Sequence, residues 1–442
     1  MVNPTNSFGP ELDPFNDARY LRVPMHELSD GTFVNASAGT PMPITFGNPL
    51  ASDAFGRQRT STPTTLFDSK QLFDNLPLFW DDQEVSGSGT SSVHSSDRAS
   101  SIMSVSDSTA GKRVRQTFQR FNYQPGKSQL ILQTANLAGV LGTGTQAAVG
   151  YFDDSNGVFW EYDSGVIYIC VRSNTTGTPV TTRVPQSEWN GDKMDGTGPS
   201  GVTLDPTKSQ ILGTDFEWLG VGTVRFFFVV DEVFILAHEQ HHANHAAGVY
   251  MSTPNLPLRY EIENDGTGNA ASIEQICSTV ISEGGLQPTG QFHYASTEGT
   301  KRNFNTAGTL YPLVGLRLKA AAISEVVDLD YGSVSLTTND DFEWLIVFNP
   351  TVTGTDGAWS DRANSACQVY LNGADGPPDT ATGGQIVSGG YGQGNSSISS
   401  GLENDLKLGS AIDGSVDEAY LCVRPLGSNA DVYGGIGWRE LS

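Results

Sequence analysis

The sequence has few charged residues, and most of its charge has one sign. Charged residues make up 17% of the 442 residues, and 25 Lys and Arg stand against 49 Asp and Glu, which gives a formal net charge of −24. The electrostatic field of such a chain repels nucleic acid and anionic membrane surfaces. We therefore expect no nucleic-acid partner.

Cysteine frameworks and long apolar runs are also missing. The four cysteines, Cys170, Cys277, Cys367 and Cys422, stand singly without a CxxC pair, so we expect them to be free and buried in a protein that folds in a reducing cell. No apolar run approaches 18 residues, which predicts no membrane insertion. Residues 1–25 lack a basic start followed by an apolar core, so no signal peptide is expected.

Helical periodicity is weak, and alternation with a period of two residues takes its place from residue 113 onward. The β-rich runs include 165–172, 224–239 and 342–349, and the 50 glycines and 22 prolines supply turns between such runs. Residues 309–326 fit a helix or two strands equally well. This pattern predicts an all-β fold, a β-sandwich of the jelly-roll or lectin-like kind.

The composition changes along the chain and predicts three parts. Residues 1–112 are rich in Pro, Asn, Ser and Thr, and residues 86–111 form a low-complexity, Ser-rich stretch that cannot bury enough apolar surface alone. We interpret 1–112 as an extended N-terminal arm that neighbouring subunits would order, with a flexible linker as the alternative. A β-sandwich domain is expected over 113–300, and 301–442 is a second β-rich domain or a continuation of the sandwich.

A histidine-rich segment, "HEQHHANH" at 238–245, matches the HExxH pattern of zinc proteases. That pattern binds zinc only on a helix, where His238 and His242 lie on one face with Glu239 beside the metal-bound water. On a strand the same two histidines would lie about 13 Å apart, too far for one ion. The order of His245 and Gly248 is also the reverse of the one that supplies a third histidine ligand.

The flanking sequence favours the strand. The run "FFFVVDEVFILA" is nearly symmetric about Asp231-Glu232, which predicts a two-residue hairpin turn. That turn would pair three residues on each side, Val230 with Val233, Val229 with Phe234 and Phe228 with Ile235. We therefore predict a solvated loop after the strand and no metal or cofactor. His238, His242 and His245 remain the candidate metal ligands if this geometry is wrong, and adventitious or structural capture of a metal by exposed His241, His242 and His245 is the other alternative.

Acidic and aromatic side chains alternate around residue 160. Asp153, Asp154, Glu161 and Asp163 flank Trp160 and Tyr162, and two carboxylates at a suitable separation could hydrolyse a glycosidic bond. The sequence does not give that separation, so we assign no catalytic residue. If the chain binds a host glycan, the candidate contacts are the aromatic residues Trp160, Tyr162, Trp189 and Tyr250, although the residue types favour core packing for each.

One block of the sequence resembles a known family. Segments such as "RFNYQPGKSQLILQTANL" (120–137), "DFEWLGVGTVRFFFVVDEVF" (215–234) and "GVYMSTPNLPLRYEIENDGTG" (248–268) resemble a block found in large, mostly uncharacterised proteins of tailed phages and related aquatic viruses. The resemblance covers residues 120–285. It implies a structural component of the virion, in the capsid, a fibre or the tail and baseplate, and it carries no catalytic residues.

These observations together predict a phage virion structural protein that is not an enzyme. It would be made in the host cytoplasm, mounted on the particle and assembled as a homo-oligomer, with other virion proteins as further partners. The alternatives are a lectin-like adhesin that binds a host surface glycan and a hydrolase, either a glycan depolymerase or a zinc protease.

Overall fold

The computed structural model describes residues 25–27, 33–35, 61–137, 139, 142–329, 333–401, 407–427 and 429–441. The chain divides into two units, Met1–Ser61 and Thr62–Ser442. In the first unit, strand β1 (Met25–Glu27) pairs antiparallel with β2 (Phe33–Asn35). The second unit holds two β-sandwiches that follow each other along the chain.

The first sandwich contains fifteen of the described strands. They are β3 (Thr64–Lys70), β4 (Trp80–Gly87), β5 (Thr90–Ser95), β6 (Ser100–Val105), β7 (Gly111–Thr117), β8 (Gln129–Asn136), β9 (Thr145–Phe152), β10 (Gly157–Asp163), β11 (Val166–Ser173), β12 (Val180–Pro185), β13 (Ser209–Phe216), β14 (Val224–Val230), β15 (Val233–Gln240), β16 (Leu258–Asn264) and β17 (Ala271–Ser282). One sheet has the order β12-β11-β10-β9-β16-β7-β4. The other has the order β15-β14-β13-β8-β17-β6-β5, with β3 beside β17.

The second sandwich follows after residue 282. Its described strands are β18 (Gly290–Ser296), β19 (Arg302–Phe304), β20 (Tyr311–Leu318), β21 (Val326–Asp328), β22 (Ser333–Thr338), β23 (Phe342–Phe348), β24 (Thr351–Thr353), β25 (Ala358–Asp361), β26 (Cys367–Leu371), β27 (Thr380–Thr382), β28 (Gln385–Gly392), β29 (Ser396–Gly401), β30 (Lys407–Leu408), β31 (Glu418–Pro425) and β32 (Ala430–Leu441). A seven-stranded sheet is built around the long β32, and a six-stranded sheet has the order β25-β26-β20-β31-β23-β28. The pair β24 and β27 forms a small separate sheet.

Each sandwich has its own apolar core, because alternate residues of facing sheets point inward. In the first core, the Trp160 ring lies 4.6 Å from Phe228 and 5.7 Å from Trp189, centroid to centroid. In the second core, Trp438 and Phe342 are fully buried between the two large sheets. The two sandwiches also touch directly, since the Phe118 carbonyl accepts a hydrogen bond from the Ser410 N–H at 2.9 Å.

The predicted all-β sandwich is confirmed. Across the described ranges the chain forms no α-helix, and its helical turns are 3₁₀, among them Gln186–Glu188 and Ala320–Ala322. The ambiguous run 309–326 contains β20, the second of these turns and the start of β21, so the two-strand alternative is the right one. No helix among the described residues is long and apolar enough to cross a membrane.

The structure differs from the predicted arm over residues 64–112. The Ser-rich stretch 86–111 contributes to β4, β5, β6 and β7, which are paired within both sheets of the first sandwich. Its order comes from Met103 and Val105, which enter the core, and from buried Ser100, whose hydroxyl donates to the Glu274 carboxylate. The rest of the predicted arm, apart from β1 and β2, lies outside the described residues.

The cysteines follow the prediction at three positions. Cys170, Cys367 and Cys422 are free and buried, and burial raises the pKa of each thiol. Cys277 is also free but exposed, because it lies on the outward side of β17. The expectation that all four are buried is therefore wrong for Cys277.

The predicted hairpin is confirmed in register. Strands β14 and β15 pair Val230 with Val233, Val229 with Phe234 and Phe228 with Ile235. The turn residues Asp231 and Glu232 both have positive φ, 48° and 66°. Two positive φ values are typical of a type I′ turn, whose twist suits a two-residue hairpin but which normally carries Asn-Gly or Asp-Gly.

Replacing Glu232 with glycine is expected to stabilise the protein. A residue with a Cβ atom is strained at a φ of 66°, and removing that strain outweighs the entropy that glycine adds to the unfolded chain, for a net gain of about 0.5 to 1 kcal/mol. Urea denaturation followed by tryptophan fluorescence would show a higher midpoint. Glu263→Gly is the matched control, because Glu263 lies within the extended strand β16 and glycine there lowers the midpoint. A lower midpoint for Glu232→Gly would contradict this account of the turn.

Candidate functional site

The histidine-rich segment lies partly on β15 and partly on the loop after it. His238 is buried on the strand, and its Nδ1 accepts a hydrogen bond from the backbone N–H of Asn190 at 3.2 Å. His242 is on the loop, where its ring stacks on Tyr250 at 4.1 Å and its Nδ1 donates to the Gly222 carbonyl at 2.7 Å. The two imidazoles are thus held by different partners.

The histidine side chains of this segment do not converge on one point where a metal ion could bind. His245 is exposed on the loop, and His241 contacts the Thr223 hydroxyl and the Glu239 carboxylate. Among the residues that the structure describes, no group of three His, Cys, Asp or Glu side chains is placed to hold a metal. The segment ends β15 and continues into a loop instead of a helix, as the sequence predicts, so the HExxH spacing does not have the geometry that zinc chemistry needs.

The four predicted aromatic contacts all lie in the first core. Trp160, Tyr162, Trp189 and Tyr250 are only 2 to 6% exposed. On β10 the residues that alternate with Trp160 and Tyr162 face outward, so these two rings point toward the opposite sheet. A ring whose faces are packed cannot stack on a ligand, so the four residues are core residues, as their residue types favour, and are not glycan contacts.

The acidic residues of the same region are paired with arginines, and Glu161 and Asp163 lie on the outer face of the β10 sheet. Arg183 bridges Glu161 and Asp163, lying 2.6 Å from an Asp163 oxygen and in direct contact with Glu161. Asp153 pairs with Arg120 and Asp154 with Arg259, each at 2.7 Å. Burial raises the pKa of Glu161, and the Arg183 charge opposes that shift.

Arg183 therefore occupies the space in which a substrate would have to meet both carboxylates. Its guanidinium also lies 3.9 Å from the centroid of the Tyr168 ring, which holds it over the sheet. Two carboxylates joined by one guanidinium form a compact ionic group. A substrate would reach Glu161 and Asp163 together only by displacing Arg183.

An open groove of about 240 Å³ lies on the outer face of the seven-stranded sheet in the second sandwich. Tyr294 on β18 and Tyr433 on β32 line it, and each is 39% exposed. Hydroxyl groups surround the two rings, from Ser296, Thr297, Ser335, Thr337 and Ser397. We call this feature, defined by the two tyrosines and these five hydroxyl residues, the tyrosine groove.

Strand pairing explains how these residues meet. Tyr433 on β32 is opposite Thr337 on β22, and Thr337 is opposite Ser397 on β29, so their side chains form one row across the sheet. The next row contains Gly435 opposite Ser335. No contiguous sequence pattern shows which residues group here, since β18, β22, β29 and β32 are spread over residues 290–441.

Gly435 positions the Tyr294 ring. A Cβ atom at Gly435 would lie 2.3 Å from the Tyr294 hydroxyl, so only glycine leaves room for the ring to cross β32. The ring crosses toward β22, where its hydroxyl lies 2.5 Å from the Ser335 Oγ. The dipeptide Gly434-Gly435 inside a strand was the one sequence signal that could have pointed here, because strand glycines often mark a close approach.

The chemistry of the tyrosine groove is apolar and neutral-polar. None of the eleven described residues that line it carries a charge. The aromatic faces can pack against an apolar ligand surface, while the hydroxyls both donate and accept hydrogen bonds. Such a surface suits a ligand with C–H faces and a rim of hydroxyl groups.

Comparison with known proteins gives fold relatives alone. No family model and no curated protein matches the chain. Among solved structures, the chain is similar to the carbohydrate recognition domain of Emp47p, at 12% identity and a TM-score of 0.33, over 52% of this chain and 99% of that one. It is also similar to the CBM2 module of the evolved Dit of Lactobacillus casei BL23 phage J-1, at 7% identity and 0.33, over 52% and 100%. A putative β-glucanase of Mycobacterium abscessus has 11% identity and a TM-score of 0.34, over 49% and 100%.

These neighbours correct one prediction from the sequence. The chain was expected not to be an enzyme, but the solved structures to which it is similar include several glycosyl hydrolases and glucanases. That expectation is contradicted, because sandwiches of this kind include hydrolases as well as lectins and carbohydrate-binding modules. A shared fold does not separate these activities.

The lowered pKa values of His238 and His242 predict that the protein loses stability in mild acid. Burial lowers the pKa of both His238 and His242, so the unfolded chain binds protons near pH 6.5 that the folded chain does not. The two neutral histidines therefore contribute to the free energy of unfolding above pH 6.5, and this contribution is lost as the pH falls below 6.5. The free energy of unfolding, from urea denaturation at pH 7.5 and 5.5, should fall less for His242→Phe, which keeps a ring against Tyr250. If the free energy of unfolding falls equally in His242→Phe and the parent protein between pH 7.5 and 5.5, the acid sensitivity does not come from His242.

Proposed function

We propose that this chain binds neutral glycans through the tyrosine groove. The observation that carries the proposal is the presence of two half-exposed tyrosine rings, framed by five hydroxyl residues, in an open groove lined by uncharged residues. A sugar ring presents apolar C–H faces and a rim of hydroxyl groups. The tyrosine faces match the former, and the serine and threonine hydroxyls match the latter.

The groove is already shaped for a ligand. Gly435 leaves space for the Tyr294 ring, and the contact with Ser335 fixes the hydroxyl end of that ring. A side chain that is ordered before binding loses little conformational entropy on binding. The tyrosine groove can thus gain affinity from a few stacked and hydrogen-bonded contacts.

Charge selects among glycans. The chain carries a net charge of −24, and no Lys or Arg lines the groove to offset that field. Acidic sugars would approach against repulsion and would find no cation to pair with. The ligand class that fits is therefore a neutral hexose-containing glycan.

The setting that we propose for this binding is the surface of a virus particle. It is supported by the resemblance of residues 120–285 to a block in virion proteins of tailed phages. The chain would be a virion component made in the host cytoplasm, with copies of itself and other virion proteins as partners. Its glycan ligand would then lie on the host surface.

The binding proposal is tested by removing one ring at a time. A glycan array with the full chain should identify neutral glycans, and Tyr433→Ala should raise the Kd for the best of them at least about tenfold, which is about 1.4 kcal/mol of lost binding. Tyr294→Ala should have a similar effect. Isothermal titration calorimetry measures both.

Tyr391→Ala is the matched control. Tyr391 is 73% exposed on β28, in the six-stranded sheet, so its loss changes the exposed aromatic surface without touching the tyrosine groove. The control should keep the parent Kd. Equal affinity of Tyr433→Ala and the parent protein, or binding restricted to acidic glycans, would reject the groove as the site.

The particle setting has a separate test. Antibodies against this chain should label purified virions in immunogold electron microscopy, and mass spectrometry of the same virions should detect its peptides. Peptides found in infected cells but absent from purified virions would reject the setting and leave the glycan proposal untouched.

A further inference from the structure

We propose that the ligand of the tyrosine groove is an extended chain of several sugar units, and that Phe292 provides a further stacking position beyond the groove. This extension rests on the proposed function of the groove and adds a requirement for ligand length. Phe292 lies on β18 but does not line the groove. It is 51% exposed, which is more than either tyrosine.

Phe292 and Tyr294 lie on the same side of the sheet. They are two residues apart on β18, and side chains alternate between the two faces of a strand. His293, between them, points the other way and stacks on the buried Trp438, with 5.6 Å between the ring centroids. Both rings therefore face outward, with their backbones about 7 Å apart along the strand.

Strand register places three rings in sequence along β32. Phe292 is opposite Arg439, and Tyr433 lies six residues before Arg439 on the same strand. Six residues of an extended strand span about 20 Å. The Tyr294 ring lies between these two ends, over Gly435. A ligand that contacts all three rings must be about as long as this row, which is much longer than a single sugar ring.

Exposed aromatic rings are concentrated on this face. Among the described residues, seven large aromatic side chains are exposed, and Phe292, Tyr294 and Tyr433 are three of them. The other four lie in the first sandwich or on the six-stranded sheet. Apolar side chains that are exposed singly need no explanation, whereas a row of neighbouring rings marks a binding surface.

Hydroxyl groups accompany the rings along the row. Ser296 and Ser335 lie on either side of Gly435, and Thr337 is opposite Tyr433. Apolar faces and hydroxyl groups also follow each other along a chain of sugars. A lipid or an apolar peptide would cover the same hydroxyls without pairing them, which costs binding free energy. The polar groups therefore favour a sugar chain over a purely apolar ligand.

The charges beside Phe292 are of both signs. Arg439 is opposite Asp328 on β21, and Asp328 is opposite Lys407 on β30. The Arg439 guanidinium also donates to the Pro288 carbonyl. A neutral sugar chain is not repelled by these groups, and its affinity should not depend on salt, whereas the affinity of an acidic chain should.

The test is the dependence of affinity on chain length. Isothermal titration calorimetry with the full chain would use linear neutral oligosaccharides of two to six units, built from α-1,4-, β-1,4- or β-1,3-linked glucose or β-1,4-linked mannose. For a series that binds, the Kd of the hexasaccharide should be at least about tenfold below that of the disaccharide. Changing the salt concentration from 50 to 500 mM should alter neither value more than about twofold.

Replacing Phe292 separates the extended row from the groove. Phe292→Ala and Phe292→Leu should each raise the hexasaccharide Kd at least about fivefold and leave the disaccharide Kd within about twofold, because the disaccharide binds between the tyrosines. Phe292→Trp keeps an aromatic face and should keep the parent Kd. Because Phe292 is half exposed, each variant is expected to keep the parent far-UV circular dichroism spectrum.

Phe73→Ala is the matched control. Phe73 is 77% exposed on the loop between β3 and β4, so its loss removes an exposed phenylalanine from the other sandwich and should change neither Kd. Equal Kd values for the disaccharide and hexasaccharide overturn the extended row, and so does a hexasaccharide Kd that Phe292→Ala does not change or that depends strongly on salt. If Tyr433→Ala still weakens disaccharide binding in those cases, the tyrosine groove stands without the extension.

Discussion

Side chains alternate between the two faces of a strand, so in a sandwich of antiparallel sheets one face of each sheet packs in the core and the other faces outward. The inward faces form two apolar cores here, centred on residues such as Trp160 and Trp438. The four outward faces differ in the side chains that they present. In the first sandwich, arginines lie over aromatic rings on the outer face of the seven-stranded sheet, and the outer face of the eight-stranded sheet has an exposed apolar patch. In the second sandwich, the outer face of the seven-stranded sheet carries the tyrosine groove. The outer face of the six-stranded sheet is partly covered by the pair β24 and β27, whose Ala381 packs with Tyr420. The functional proposals both arise from the outward faces.

Those parts of the fold that depend on neighbouring residues could be predicted from the sequence. The near symmetry about Asp231-Glu232 gave the register of β14 and β15 correctly, because a two-residue turn leaves no freedom in how the strands pair. It also favoured a strand over the helical form of the HExxH pattern. The all-β class followed in the same way from alternation within short runs.

The parts that failed depend on distant partners. The Ser-rich stretch 86–111 looks unable to fold alone, and it is ordered because β17, more than 160 residues later, pairs with β6. Trp160 and Tyr162 look like surface aromatics among acids, but the alternation along β10 does not say which of its two faces is the inner one. The tyrosine groove joins residues from four strands, and the one local signal, Gly434-Gly435 inside a strand, does not say which side chains meet there.

Glycine and an aromatic ring occur together at several places on these sheets. Tyr294 lies over Gly435, Phe227 over Gly213 and Tyr420 over Gly315. Each ring has its position because a methyl group is missing on a neighbouring strand, and glycine in a strand interior is otherwise unfavourable. One added carbon atom at Gly435, which does not line the tyrosine groove, would therefore reshape that groove. Mutational scans that read function only from contact residues would miss these glycines.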